Sequence, residues 1–362
     1  MSLSPTTQMV FEQLPVTLAA PVQPAQTPSP QEVVFQAGLA YIVSACLNVA
    51  VKLRIPDLIG DSSKSVRLLA LKAGVDEDYL FRVLRALEMN GIVVQTEPRC
   101  FALSPAGNLL RREAAGSLAA TIEWIADPLH LTLYSELEQT VKEGTTTFDR
   151  VYGEPFFEWI SKAENRGEAA VFNNAMTSIS EMCVPAFLEA YDFSDFGKIV
   201  DVGGGHGALL RSILREYPAA HGIIAEMPSL VGAAAQAIAG DGLAARCEAV
   251  ACNFFESVPA GGDGYLMKHI VHDWADEPAR RLLGNIRAVI PNHGKLILAE
   301  AVIDDSPAPH PGKLLDIEMM AFVGGRERII GDFRKLLASS GFALQRIIPT
   351  GSPLSLLEAV PV

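Results

Sequence analysis

Positive charge is scarce in this chain. Its 362 residues include 29 Lys and Arg against 42 Asp and Glu, a formal charge of −13 at pH 7. That balance argues against a nucleic-acid partner, because phosphate binding needs a basic face. Cysteine is sparse as well. Cys46, Cys100, Cys183, Cys247 and Cys252 are odd in number and scattered, with no C-x-x-C pair and no Cys/His cluster. Neither a disulfide framework nor a zinc or other metal site is expected, and reduced thiols in a cytoplasmic protein fit best. The start of the chain lacks the basic and apolar regions of a secretory signal. Long apolar runs are missing with one exception: residues 33–51 carry no charge and approach the roughly 20 residues a bilayer requires. Gln36, Ser44 and Asn48 interrupt that run, and Lys52 and Arg54 follow it. It is expected to be a buried helix, shared with a partner chain, and not a membrane span.

What is present is a soluble composition with a sizeable core, 49% hydrophobic and 20% charged. Residues 1–30 are rich in Pro, Gln and Thr and are expected to be a disordered tail. Residues 31–115 read as a helical domain ending in a hairpin. Ser65-Val-Arg-Leu-Leu-Ala, the turn at Gly74, and Tyr79-Leu-Phe-Arg-Val-Leu-Arg-Ala-Leu-Glu have helix-turn-helix spacing, with Asp76 or Glu77 as the second cap. Gly91-Ile-Val-Val and Cys100-Phe-Ala-Leu supply the two strands of a wing. A winged helix invites a DNA-binding reading, but residues 1–115 have ten Lys and Arg and ten Asp and Glu, a net charge of zero. Dimerisation is the expected role. Residues 116–190 read as mostly helical, with many aromatics that serve as core or line a substrate pocket. In 191–362, strands at 198–202, 222–226, 246–250, 263–268, 294–300, 343–349 and 354–360 alternate with amphipathic segments at first, the pattern of a parallel sheet covered on both faces. The last two strands are joined by only Pro349-Thr-Gly-Ser-Pro353. So short a link allows an antiparallel pair and no crossover helix.

The most informative stretch is residues 198–207, Lys-Ile-Val-Asp-Val-Gly-Gly-Gly-His-Gly. A β-branched run ends in Asp201 and breaks into glycines, and a helical pattern follows, so the backbone can approach a ligand closely. Gly203, Gly205 and Ala208 also satisfy the dinucleotide fingerprint, so this loop alone fits two cofactor classes. Glu226 ends the second strand, where a carboxylate can accept from both hydroxyls of a ribose; a helix cap beside Pro228 is the blander reading. Lys268-His-Ile-Val-His-Asp-Trp274 sits where the fourth strand gives out. A histidine there can take a proton near neutral pH. His269 and His272 are also readable as structural, and Asp273 as a cap. Glu300 after the fifth strand and Glu327 in Gly-Gly-Arg-Glu-Arg328 are acids able to fix such a histidine.

Six ordered blocks then form a set: Phe172-Asn-Asn-Ala-Met176, the glycine block at 200–207, Asn253-Phe-Phe-Glu-Ser-Val-Pro259, the His-Asp-Trp block, Asp316-Ile-Glu-Met-Met320 and Gly324-Gly-Arg-Glu-Arg328. From about residue 35 to 360 the chain resembles the plant-type S-adenosylmethionine-dependent small-molecule O-methyltransferases and their bacterial natural-product relatives. The resemblance implies an α/β fold: a Rossmann-like seven-stranded methyltransferase sheet with an antiparallel last strand, plus an N-terminal winged-helix dimerisation domain. It implies His272 as catalytic base between Glu300 and Glu327. It implies a cofactor site at Asp201, Gly203, Gly205, Glu226, Asn253, Phe254, Lys268 and Asp273, and a substrate pocket at Phe172, Met176, Met320 and Trp274. The implied cofactor is S-adenosylmethionine, with S-adenosylhomocysteine as product and no metal. The implied partners are a small aromatic substrate, methylated on a hydroxyl of phenolic type, and a second copy of the chain. Two positions depart from the family pattern: Glu226-Met-Pro stands where Asp-Leu-Pro is usual, and Cys252-Asn253 where Gly-Asp is usual. Glu keeps the charge, whereas Asn keeps donor and acceptor without it. Alternatives are a non-methylating or C- or N-methylating enzyme of this fold, a dehydrogenase, and a ligand-sensing transcription factor.

Overall fold

The computed structural model describes residues 28–304 and 306–362. The tail expected at 1–30 therefore lies outside the described residues, save for the three that lead into the first helix. Two compact units divide the chain, one ending at Tyr41 and the other covering Ile42–Val362. The helix Pro30–Lys52 is long and apolar enough to cross a membrane by length and composition. The burial expected of it, shared with a partner chain, is within this one chain confined to its last turns. Val33, Val34, Phe35, Leu39 and Tyr41 are exposed, while Asn48, Ala50 and Val51 are buried. An uncharged face that the chain itself leaves in solvent is the kind of surface a partner covers.

The helix-turn-helix forms as its caps dictate. Ser65 accepts from the Leu68 N–H, Gly74 closes the helix Val66–Ala73 in the left-handed region, and Asp76 accepts from the Tyr79 N–H to open Glu77–Met89. Leu80, Leu84 and Leu87 line the inner face of the second helix and pack on Ile55, Ile59, Leu69 and Phe101. A three-stranded sheet completes the wing. Its strands are β1 (Lys64–Ser65), β2 (Val93–Glu97) and β3 (Cys100–Leu103), in the order β1-β3-β2. The sequence pattern supplied β2 and β3; β1 is two residues long and has no periodicity to read.

The second sheet has seven strands, each within one residue of its expected bounds: β4 (Lys198–Val202), β5 (His221–Glu226), β6 (Cys247–Ala251), β7 (Gly264–Lys268), β8 (Lys295–Glu300), β9 (Phe342–Pro349) and β10 (Ser355–Pro361). The order is β6-β5-β4-β7-β8-β10-β9. β10 runs antiparallel to both of its neighbours, pairing Leu357 with Leu298 of β8 and with Ile347 of β9. The strands β4, β5, β7 and β8 are apolar on both faces because each face is covered. On one side Leu209, Leu210, Ile213 and Phe187 pack on Ile199, Ile224 and Leu266; on the other Leu282, Leu283, Ile286 and Phe333 pack on Val200, Tyr265 and Leu298.

Two features of this frame position the site. β4 leads outward to β5 and β7 leads the opposite way to β8, so the strand order reverses between β4 and β7. Ligands in open α/β sheets bind at the carboxyl ends beside that reversal. The helix Arg166–Ala190 reaches the same region. Phe172 and Met176, early in it, join an aromatic cluster with Trp124, Phe148, Phe156 and Phe322, while Cys183, Val184 and Phe187, later in it, join the core beneath the sheet.

Candidate active site

The glycine turn after β4 is closed on one side. Gly203 has φ +72°, and a Cβ there would lie 2.5 Å from Ile270 Cδ1, so the turns after β4 and β7 abut. A Cβ on Gly205 would meet nothing within 4 Å. The Gly205 N–H donates to Glu226 Oε2 at 2.8 Å, and the Met227 N–H donates to Oε1 at 2.7 Å. These bonds hold the buried carboxylate at the end of β5 and leave further lone pairs for a ligand. Burial pushes Glu226 above the usual carboxylate range. Burial pushes Asp201 up to about 7, with Lys268 drawing it back and Glu226 raising it further. Lys268 at the end of β7 is itself lowered by burial. A turn flanked by two acids and one buried lysine suits a nucleoside bearing a positive charge better than a pyrophosphate, which wants donors and cations. The glycine turn and this donor set fit an adenosyl group of that kind.

The His-Asp-Trp block forms a 3₁₀ turn, Val271–Asp273, directly after β7. His272 is 5% exposed. Its Nδ1 lies 2.7 Å from Glu327 Oε1 and 4.0 Å from Glu300 Oε2, and its Nε2 lies 3.4 Å from Asp273 Oδ1. An ionised carboxylate only accepts, so Nδ1 carries the hydrogen toward Glu327 and Nε2 is the atom left to exchange protons. Burial draws the imidazole down; Asp273, Glu300 and Glu327 outweigh it and carry His272 up to about 9. Asp273 stands at about 7, raised by burial and drawn back by His272. His269 goes the other way. Burial, Lys268 and His272 hold it well below the usual histidine range, and it sits in the left-handed region at φ 55°.

The turn is fastened from two directions. Glu300 Oε1 accepts the N–H groups of Ile270 (3.1 Å) and Val271 (2.8 Å) from the neighbouring strand. From the 324–328 loop, the Arg326 N–H donates to the His272 carbonyl at 2.8 Å, and a Cβ on Gly325 would lie 2.0 Å from that oxygen, so no larger residue fits there. The helix Gly312–Phe322 steadies this loop in turn, since Asp316 Oδ1 accepts the Glu327 N–H at 2.8 Å.

Sequence reasoning gave Arg328 no role, yet it is 1% exposed and grips the turn. Its guanidinium donates to the carbonyls of Val271 (2.9 Å) and Trp274 (2.7 Å) and to Asp276 Oδ1 (2.8 Å). The signal was an arginine three residues beyond a hinged glycine pair, which reads equally well as surface charge.

The candidate residues separate into groups. Asp201, Gly203, Gly205, Glu226 and Lys268 gather at the ends of β4, β5 and β7, and His272, Asp273, Glu300 and Glu327 gather around the 3₁₀ turn. Trp274 stacks on Phe157 with ring centroids 5.6 Å apart and meets Phe255 edge-on at 4.6 Å. Phe157 packs on Phe156, and Phe172 on Trp124 and Phe156, so the aromatic cluster is continuous with the turn that carries His272. Met176 packs against that cluster. Met320 is half-buried, one helical turn beyond Asp316. Asn253 is turned to its own loop, accepting from the Phe255 N–H and donating to Glu256. Phe254 is half-buried against Phe255. Buried atoms of His269 (Nδ1), Trp274 (Nε1), Glu300 (Oε2) and Glu327 (Oε2) have no hydrogen-bond partner among the described residues, a concentration that marks a place completed by something else.

Comparison with known proteins follows the same lines. A family model described as the O-methyltransferase domain matches residues 134–343, and one for the O-methyltransferase dimerisation domain matches residues 35–113. The phenazine O-methyltransferase PhzM of Lysobacter antibioticus is 36% identical over 330 residues, covering 91% of this chain and 96% of that one. The crystal structure of LaPhzM superposes with a TM-score of 0.88 at 36% identity over 92% of this chain and 100% of that one. NcsB1, an O-methyltransferase from neocarzinostatin biosynthesis solved with S-adenosylmethionine and 2-hydroxy-5-methyl naphthoic acid, superposes with a TM-score of 0.74 at 26% identity, covering 88% and 96%.

Proposed function

The chain belongs to the S-adenosylmethionine-dependent O-methyltransferase family, and on that premise we propose that it methylates a phenolic hydroxyl of a small aromatic natural product, with His272 as general base. The observation that carries the reading is the bond from His272 Nδ1 to Glu327 at 2.7 Å, beside Glu300, in a turn that abuts the glycine loop. When bound, S-adenosylmethionine supplies an electrophilic methyl group on a sulfonium. The chain's own work is to hold an acceptor oxygen in line with that group and to remove its proton.

Alignment of two reactants lowers a barrier by about 7–11 kcal/mol. The aromatic cluster around Trp124, Phe156, Phe172 and Phe322 supports a flat ring as the group being aligned. A phenol with a pKa of about 10 is mostly protonated at neutral pH. His272 Nε2 receives that proton as the oxygen attacks, a contribution of roughly 10²–10⁴-fold. Glu327 fixes the tautomer and, with Glu300, stabilises the imidazolium that results. Glu226 holds the ribose hydroxyls, and Asp201 and Lys268 lie beneath the glycine turn. Residues 31–115, which contain the whole of the matched dimerisation domain, join two copies through the exposed face at residues 33–42.

The test is His272→Ala. Loss of at least a hundredfold in turnover of a phenol, with S-adenosylmethionine affinity retained by calorimetry, is the expected outcome. Full turnover in that variant rejects the base assignment. A methyl group found on carbon or nitrogen by mass spectrometry and NMR rejects the hydroxyl as acceptor.

A further inference from the structure

The aromatic cluster has a polar insertion that the proposed reaction does not use. His130, on the helix Pro128–Ser135, is 1% exposed. Its Nε2 lies 2.9 Å from Glu318 Oε1, and the Tyr134 hydroxyl donates to Glu318 Oε2. Trp124 meets the imidazole edge-on at 4.7 Å, and Phe322 lies 4.6 Å from it. Burial, with Glu318 beside it, pushes the Tyr134 phenol upward, so it remains a neutral donor.

A packing role alone does not call for these groups, because taking a carboxylate and an imidazole out of water is costly and an apolar filling would serve. The arrangement is also incomplete. The tautomer that donates from Nε2 to Glu318 has its acceptor lone pair at Nδ1, and that atom is buried with no partner among the described residues. Glu318 has acceptor capacity beyond its two bonds. The place is linked to the catalytic turn by contact: Trp274 stacks on Phe157, Phe157 packs on Phe156, Phe156 on Phe322, and Phe322 on His130.

On the reading that this cluster holds the acceptor ring, we infer that His130, Tyr134 and Glu318 form a recognition site for a second, hydrogen-bond-donating substituent of the acceptor, a hydroxyl or an amine. The substituent's O–H or N–H goes to His130 Nδ1, whose ring Glu318 and Tyr134 hold in place. A carboxylate substituent meets the charge of Glu318 and is disfavoured.

Calorimetry on the full chain saturated with S-adenosylhomocysteine, titrated with 1-naphthol, 5-amino-1-naphthol and 5-hydroxy-1-naphthoic acid, tests this. The amine is expected to bind at least tenfold more tightly than 1-naphthol, and the acid more weakly than either. In Glu318→Gln the advantage of the amine falls to within about threefold, and the acid gains at least tenfold relative to 1-naphthol. His130→Leu, apolar and of similar size, abolishes the advantage of the amine and serves where the other variant folds poorly. Equal binding of amine and 1-naphthol by the unaltered protein, or a ratio that neither variant moves, overturns the inference. Turnover is read separately. Loss of methyl transfer with the affinity ratios intact refutes the phenolic reaction and leaves this site standing; turnover with flat ratios does the reverse.

Discussion

Glu327→Gln separates the two things Glu327 does for His272. The amide has nearly the same volume, and its oxygen still accepts from Nδ1, so the ring keeps its orientation and loses a neighbouring charge. In the folded protein His272 stands at about 9, above the ordinary 6.5, because the surrounding carboxylates outweigh its burial. The free base is therefore the minor form at neutral pH, and kcat/KM rises about tenfold per pH unit until it levels near 9. A hydrogen bond to a charged group contributes about 1.5–3 kcal/mol, and one pKa unit corresponds to 1.36 kcal/mol. Loss of the Glu327 charge then lowers the midpoint by about one to two units, to between 7 and 8. At pH 7 the variant has more free base than the parent, but the base is weaker, so its plateau rate is lower. The assay is the pH dependence of kcat/KM for one phenol in both proteins, together with the NMR titration of the His272 ring, identified by its loss in His272→Asn. Ionisation of the phenol is common to both profiles, so their difference isolates the histidine. A midpoint that does not move in Glu327→Gln, or a ring that titrates near 6.5 in the parent, refutes the reasoning.

Two further outcomes follow from the same geometry. Arg328→Met leaves the carbonyls of Val271 and Trp274 and the Asp276 carboxylate without their shared donor; a loss of about 3–5 kcal/mol in urea unfolding and at least tenfold in kcat is expected, and Arg328→Lys restores little because it lacks the planar fork. Asp201 and Asp273, both raised to about 7, hold protons in the folded chain that the unfolded chain releases near pH 4. Unfolding free energy of the ligand-free protein accordingly falls as pH rises from 5 to 7.5, by up to about 1.4 kcal/mol per unit for each group. His272 adds a decline of the same sign between its unfolded value of 6.5 and about 9. Thermal melts across that range check the slope, which Asp201→Asn makes shallower; a melting temperature that rises with pH contradicts the assignment.

Much of the frame was legible because its signals are local. Strand ends fell within one residue of expectation where apolar runs meet glycine or charge, and the five-residue link before β10 foretold its antiparallel course. Helix-turn-helix spacing around Gly74 announced the two helices, and of the two caps expected for the second, Asp76 or Glu77, the structure uses Asp76. The site residues were legible as a set of motifs, whereas their meeting was not. Glu300 and Glu327 are 27 positions apart and reach His272 from different elements, a relation with no periodicity. Arg328 and Glu318 were passed over for another reason. Charged residues in a loop and on a helix read as solvated, and their burial depends on partners at Val271, Trp274, His130 and Tyr134 that lie far off in sequence. The helix Pro30–Lys52 was read as buried with a partner chain's help, and its face at residues 33–42 is exposed among the described residues, a relation between two chains that no pattern in one sequence displays.

The helix Gly312–Phe322 carries Asp316, which grips the backbone of Glu327, and Glu318, which grips His130 and Tyr134. Two residues along a helix amount to about 3 Å of rise, and an eleven-residue helix turns as one stiff rod. On the roles proposed for these residues, whatever tugs on the Glu318 carboxylate at one side of the rod would shift the backbone that aims Glu327 at His272 on the other. A poorly matched ring would then misaim the proposed base as well as bind loosely, and discrimination among acceptors is expected in turnover as much as in affinity.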